Sequence, residues 1–168
     1  MIYSNTFRVV LGFMVAALLV AGCGHFQKKA ENKHEGTWDC VVQWTWDKEG
    51  EPVPCSAKQQ MTCTQTVFKG TGTISIGDAQ WSEAIEGTCF ASEEELYGTR
   101  TSVKTVPQNE AALLFEKERL GGKTLSDMST DMPEDVRVRI VKLTDTELEF
   151  VNDEGRTITC TRPLKTPN

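Results

Sequence analysis

Hydrophobic and polar residues alternate along the stretch that starts just after Gly36. The positions of one parity are apolar: Trp38, Cys40, Val42, Trp44 and Trp46. The positions between them are polar, with one exception. A period of two is typical of a β-strand that buries one face. The pattern therefore predicts a first strand whose buried face is rich in tryptophan.

Short apolar runs, separated by turn residues, continue the pattern along the chain. They predict further strands over residues 61–67, 73–76, 82–91, 97–106, 136–141, 146–151 and 156–162. Turns are predicted at 48–52, at Lys69-Gly70, at 77–78 and at 152–155. Short strands joined by hairpin turns indicate an all-β fold. We expect a small antiparallel β-barrel of about eight strands, with a sandwich as the alternative.

One segment breaks the alternation and predicts a short helix near residues 109–120. Asn109 is a residue type that caps helices, and Gly121-Gly122 is a typical stop. The apolar residues Leu113-Leu114-Phe115 also fit a sixth strand, so both alternatives stay open. The segments 92–95 and 123–135 are polar and are predicted to be loops.

The N-terminal segment has the pattern of an export signal. A single cation, Arg8, precedes an apolar run from Val9 to Gly22, which is shorter than the roughly 20 residues that span a bilayer. The end of this run, Val20-Ala21-Gly22-Cys23, resembles the lipobox of bacterial lipoproteins. The resemblance implies cleavage before Cys23, attachment of palmitate-type acyl chains to this cysteine, and anchoring to a membrane through the lipid. An ordinary secretory signal and a single transmembrane helix are the alternatives.

The chain is thereby divided into four segments. We expect a signal peptide over 1–22, the lipidated cysteine with a flexible tether over 23–35, a barrel domain over 36–163 and a tail over 164–168. Gly24 rather than Asp follows the cysteine, which in the lipoprotein sorting rule implies the outer membrane, on its periplasmic side. His25 and His34 fall in the tether and are expected to be solvated.

Charge and composition exclude several classes of function. The chain has 18 Lys and Arg against 24 Asp and Glu, for a net charge of −6. An acidic chain without a basic stripe argues against a nucleic-acid partner and against electrostatic docking on anionic lipid. Both histidines precede the predicted barrel, so a histidine-based catalytic triad is nearly excluded. We therefore predict a monomeric protein that is not an enzyme and carries no cofactor.

The two ends of the predicted barrel carry a recognisable pair of motifs. Gly36-Thr37-Trp38 on the first strand and Arg162 near the end of the chain resemble the Gly-x-Trp and arginine signature of lipocalin-type (calycin) barrels. The segment 140–162 also resembles the last hairpin of bacterial lipocalin-like lipoproteins, whereas the middle of the chain contains no second lipocalin motif. The resemblance implies that the Arg162 guanidinium packs over the Trp38 indole and closes the barrel bottom, as a cation–π contact would.

The cysteines point to disulfides. Once Cys23 is lipidated, the remaining ones are Cys40, Cys55, Cys63, Cys89 and Cys160. An oxidising periplasm would allow two disulfides and one leftover thiol. The register that places Trp38 opposite Arg162 also places Cys40 opposite Cys160, which makes this pair the first choice. Cys63 with Cys55 or Cys89 comes next, and a competing register pairs Cys40 with Cys63. The chain has no Cys-x-x-Cys motif, and no metal site is predicted.

Two functions remain open. The first is a binding module whose barrel holds a small apolar or amphipathic ligand, with Val42, Trp44 and Trp46 as possible lining residues. The second is a protein–protein module, such as an inhibitor of an envelope hydrolase or an accessory factor for envelope assembly, which acts through exposed loops such as 92–96 or 123–135. A cavity would favour the first, and a filled barrel with a large exposed patch would favour the second.

Overall fold

A closed barrel of eight antiparallel strands makes up the domain, in which each strand pairs with the next and the last pairs with the first. The computed structural model describes residues 33–48, 50–64, 66–92, 94–129 and 133–163. The strands are β1 Gly36–Lys48, β2 Glu51–Cys63, β3 Val67–Ile76, β4 Ala79–Ala91, β5 Glu95–Pro107, β6 Glu134–Leu143, β7 Glu147–Asn152 and β8 Thr157–Thr161. The predicted all-β barrel is confirmed. The predicted signal peptide, Cys23 and the tail lie outside the described residues.

The two ends of the barrel differ. At one end, here called the helix end, lie the β1–β2, β3–β4 and β7–β8 turns and the helix α1, Glu110–Arg119, which follows β5. At the opposite end, here called the entry end, the chain enters the barrel at Gly36. None of the helices in the described part of the chain is both long and apolar enough to cross a membrane.

The predicted helix is confirmed, and Leu113-Leu114-Phe115 lies within it rather than in a strand. The Asn109 side chain accepts a hydrogen bond from the Ala112 backbone N–H at 3.0 Å, which caps the helix. Its amide also donates to the Asp78 carbonyl at 2.8 Å. The cap therefore ties the start of α1 to the β3–β4 turn at the rim of the barrel.

The predicted turn at Lys69-Gly70 is wrong, because both residues lie inside β3. Gly70 faces the core, where a Cβ atom would come within 2.8 Å of the Ile85 side chain and of the Met61 sulfur. The glycine thus makes room for two large neighbours and does not bend the chain. The chain turns earlier, between the end of β2 at Cys63 and the start of β3 at Val67.

The second strand is much longer than predicted: it begins at Glu51 and not at Met61, and Glu51 and Pro52 of the predicted turn belong to it. These residues pair with β1, while the pairing of β2 with β3 begins only at Cys55. Pro52 therefore lies where β2 has a neighbour on one side only, and a missing N–H is tolerated at such an edge.

The two segments proposed as contact loops are also shorter than predicted. Strand β5 begins at Glu95, and Leu96 is 1% exposed in the core. In the second segment, a short 3₁₀ helix occupies Ser126–Ser129 and β6 begins at Glu134. An apolar side chain at residue 96 points inward, so only the polar residues before it are available at the surface.

The predicted disulfide between Cys40 and Cys160 is confirmed. The two residues are direct partners in the β1–β8 ladder, and Cys40 lies opposite Gln59, not Cys63, in the β1–β2 ladder. The predicted second disulfide is not formed. Cys55 and Cys63 lie eight residues apart on the same extended strand, which is too far for a disulfide. Cys63 and Cys89 both face the interior, from strands on either side of β3, and no disulfide joins them.

The barrel interior is closely packed. Nearly all side chains that face inward at its middle and at the entry end are exposed by 8% or less, and the largest fully buried ones include Trp38, Trp81, Arg100, Ile85 and Leu96. Inward-facing side chains stay partly exposed at both ends: Trp44, Trp46, Val53 and Val103 toward the helix end, and Ile140 and Leu143 of β6 toward the entry end. The helix end is the end at which inward-facing tryptophans approach solvent.

Candidate functional site at the helix end

The entry end is closed by the pair that the sequence pattern singled out. The guanidinium of Arg162 lies 3.9 Å from the centre of the Trp38 ring. Arg162 also donates to the Lys33 carbonyl at 2.7 Å, and the Trp38 indole N–H donates to the His34 carbonyl at 2.8 Å. The last residues of the predicted tether are thus held against the barrel. Burial and the nearby Arg162 lower the pKa of His34, which is half-buried.

Aromatic side chains converge at the helix end. Phe115 of α1 packs edge-on against Trp46 and Trp81, with ring centres 6.0 and 5.5 Å apart. Trp44 lies under the Arg156 guanidinium, which is 5.3 Å from the centre of the ring. Of the predicted lining residues, Trp44 and Trp46 remain partly exposed, whereas Val42 is 5% exposed and belongs to the core. The two tryptophans therefore line the rim of the interior.

Glu116 fastens α1 over this end. Its carboxylate accepts hydrogen bonds from the Trp81 indole N–H at 2.9 Å and from the Leu125 backbone N–H at 3.0 Å. This one buried carboxylate therefore connects the helix, the loop that follows it and β4. These hydrogen bonds hold α1, and with it Phe115, in place over the aromatic side chains at the helix end.

Below the rim lies a buried carboxylate that the sequence analysis did not single out. Glu83 faces inward from β4 and is 3% exposed. The Gln59 side-chain amide donates to its Oε2 atom. Gly72 lies between these two residues in the sheet register, and a Cβ atom there would come within 2.8 Å of the Gln59 Cγ atom. The glycine allows the two polar side chains to meet across β3.

Arg100 and Glu134 complete a polar cluster with Glu83 and Gln59. Arg100 faces inward from β5, is 1% exposed and forms an ion pair with Glu134 at the start of β6. Burial raises the pKa of Glu83 to about 7, although the positive charge of Arg100 and the Gln59 hydrogen bond act in the opposite direction. Burial likewise lowers the pKa of Arg100 to about 10, against the attraction of Glu83.

The raised pKa of Glu83 predicts that stability falls as pH rises. The folded protein holds this proton more tightly than the unfolded chain, in which the pKa is near its ordinary value of 4.5. Between about pH 4.5 and about pH 7, we expect the free energy of unfolding to fall by about 3 kcal/mol through this group. Glu83→Gln should remove this fall, as measured by urea unfolding at a series of pH values.

The matched control for this experiment is Glu86→Gln. Glu86 lies on the same strand but faces outward, where it pairs with Lys69 at 2.9 Å. That variant should keep the fall between pH 4.5 and 7. An unchanged pH profile in Glu83→Gln would assign the pH dependence to another group.

A signal for this cluster is present in the sequence, since Glu83 shares its parity with Trp81, Ile85 and Cys89 on β4. An acidic residue on the inward parity of a strand is unusual enough to mark a site. Arg100 is harder to find, because the register between β4 and β5 shifts at Glu86 and Gly87. Arg100 and Val103 are three residues apart, so a regular alternation would place them on opposite faces, whereas the shift lets both face inward.

Comparisons with known proteins do not assign the chain to a family. No known protein-family model matches the sequence, and no curated protein is significantly similar to it. Within the described ranges, no group of three or more His, Cys, Asp or Glu residues is arranged to hold a metal ion. The fold defines a closed eight-stranded antiparallel barrel, and the helix end is its candidate site.

Proposed function

We propose that the protein is a lipoprotein of the bacterial envelope, anchored through Cys23, whose lipocalin-like barrel is a non-catalytic binding module. Its ligand is a small amphipathic molecule that binds at the helix end. The lipid would hold the protein to the outer membrane on the periplasmic side. This proposal joins the lipobox resemblance at the N-terminus to the geometry of the barrel.

The observation that carries the proposal is the partial exposure of Trp44 and Trp46. Both face inward, yet they remain accessible at the rim, while Trp38 on the same face of the same strand is fully buried. Exposed aromatic surface next to a few polar groups is typical of small-molecule sites. The indole N–H of Trp44 is buried and has no hydrogen-bond partner within the described residues, so it would orient only a ligand group that reaches below the exposed part of the ring.

The packing limits where the ligand can lie. At the entry end, Trp38 is fully buried beneath Arg162, and Met61 and Phe68 are 2% exposed. A long ligand that threads through the whole barrel would have to displace these side chains. We therefore restrict the proposed site to the helix end, where Val53 and Val103 are also partly exposed.

Native mass spectrometry of the exported full-length protein tests the proposal. The protein would be produced from its own signal in a Gram-negative host and released from membranes in a mild detergent. We expect a mature mass that starts at a lipidated Cys23, plus a second, releasable small molecule. Trp44→Ala should lose this molecule, whereas Val41→Ala, on the outer face of β1, should keep it. A wild-type protein that carries no second molecule would contradict the ligand proposal.

A protein–protein module is the second candidate, and one observation favours it. Val106, Leu113 and Leu114 are exposed apolar residues at or next to α1, with Leu113 58% exposed. Exposed apolar surface of this kind is typical of contacts with other proteins. A photo-crosslinking residue at 113 should then capture one defined envelope protein in cells, whereas the same residue at the exposed Val141 on β6 should not.

A further inference from the structure

One oxygen of the buried Glu83 carboxylate has no hydrogen-bond partner. The Gln59 amide occupies Oε2, and Oε1 accepts no hydrogen bond within the part of the chain that the structure describes. The residue is 3% exposed, so bulk solvent does not reach the unpaired atom. An unsatisfied buried acceptor is unfavourable, and more so when it is charged. A hydrogen-bond donor next to Oε1 would therefore stabilise the carboxylate.

We propose that the missing donor is the polar head of the bound ligand, and that this head is a cationic amine. The inference deepens the proposed function and rests on it. The ligand would place its apolar body against the aromatic rim and direct its ammonium group toward Glu83.

The charges around Glu83 favour a cation over an anion. With both carboxylates ionised, the network of Glu83, Arg100 and Glu134 has one positive and two negative groups. A ligand ammonium would balance it, whereas a carboxylate head would add a third anion to a desolvated site. The nearby carboxylate of Glu116 already accepts two hydrogen bonds, and Arg156 at the rim is paired with Glu154 at 2.6 Å. Neither supplies a free charge that would reverse this preference.

The cluster is connected to the surface. Glu134, at one end of the network, has a side chain that is 37% exposed. Glu83, at the other end, lies one inward-facing position away from Trp81, which contacts the helix residue Phe115. The partly exposed Val103 and Val136 lie close to Arg100 and Glu134 along their strands. A small head group that enters at the rim would approach the network from the helix end, and it would have to displace buried side chains such as Trp81, which is 0% exposed, to reach Glu83.

Three probes that share one phenyl group test the charge of the head. They are 2-phenylethylamine, 2-phenylethanol and 3-phenylpropanoate, and binding to the full-length protein would be followed by tryptophan fluorescence. At about pH 8 we expect the amine to bind roughly 10-fold more tightly than the carboxylate, because the ammonium gains a charge-assisted hydrogen bond. The affinity for the amine should rise from about pH 5.5 to about pH 8 as Glu83 ionises.

Glu83→Gln should abolish the preference for the amine and flatten its pH profile, whereas Glu86→Gln on the outer face should change neither. Equal binding of all three probes by the wild-type protein would overturn this inference, and it would leave the proposed ligand-binding function standing. A protein that binds none of the probes and carries no co-purified molecule would overturn both. The pH profile of the unmodified protein keeps the test decisive even if Glu83→Gln does not fold.

Discussion

Replacing both Cys40 and Cys160 with alanine is expected to lower the free energy of unfolding by about 4–5 kcal/mol. The disulfide joins residues that are 120 positions apart, and opening so long a loop gives conformational freedom back to the unfolded chain. The bond also joins β1 to β8, the two neighbouring strands that share the fewest paired residues. Four residue pairs join β1 to β8, against thirteen pairs between β1 and β2.

The measurement is a urea titration followed by tryptophan fluorescence, with Cys55→Ala as the control. Cys55 is 4% exposed and is not in a disulfide, so its replacement removes the packing of one sulfur and leaves the chain topology unchanged. The double variant should also unfold with a steeper dependence on urea, because its unfolded chain is more expanded. Equal stabilities of the double variant and Cys55→Ala would show that closure of this loop does not stabilise the fold.

The pairing of the first strand with the last, which this disulfide joins, could be predicted from the sequence because two constraints agree. The parity of β1 determines which side chains face inward, and a single register satisfies both the Trp38–Arg162 contact and the Cys40–Cys160 pair. The alternation of apolar and polar residues indicates which side chains face inward. The two residue pairs then select one register between the first and last strands. The helix near 109–120 was predictable for a similar local reason, since its cap Asn109 acts within its own first turn.

The errors in the predicted turns concern glycine and proline, which are common in turns but also occur inside strands. Gly70 resembles a turn residue in the sequence, but it lies in a strand because Ile85 and Met61 leave no space for a side chain. Pro52 also resembles a turn residue, yet the strand tolerates it because β3 does not extend beside it. Both outcomes depend on residues far away in the chain, which local patterns do not record.

The candidate site was predicted only in part. Trp44 and Trp46 follow from the alternation on β1, but their exposure depends on how far α1 covers the rim. The polar cluster was missed because a carboxylate such as Glu83 resembles a solvated surface residue unless its neighbours on the same parity are compared. Its partner Arg100 comes from a different strand, beyond a register shift.

Arg100→Met is expected to lower the free energy of unfolding by about 3–5 kcal/mol at pH 8, because it leaves the buried carboxylate of Glu83 without a neighbouring positive charge. Arg100 is 1% exposed and lies between Glu83 and Glu134 in the polar cluster. Methionine fills a similar volume, so the loss reports the charge more than the packing. The control is Arg137→Met, whose exposed ion pair with Glu95 should contribute about 1 kcal/mol or less.

Combining Arg100→Met with Glu83→Gln should restore part of the lost stability, because the second change removes the carboxylate that the first change leaves unpaired. Two independent sites would give additive losses, whereas a coupled pair in a buried network should deviate by about 1–3 kcal/mol. The stability that Glu83→Gln restores should be smaller at about pH 5, because most Glu83 is already protonated there in the Arg100→Met variant. Additive losses at both pH values would mean that Arg100 stabilises the barrel through Glu134 alone, and the charge balance that favours an ammonium ligand at Glu83 would then lose its support.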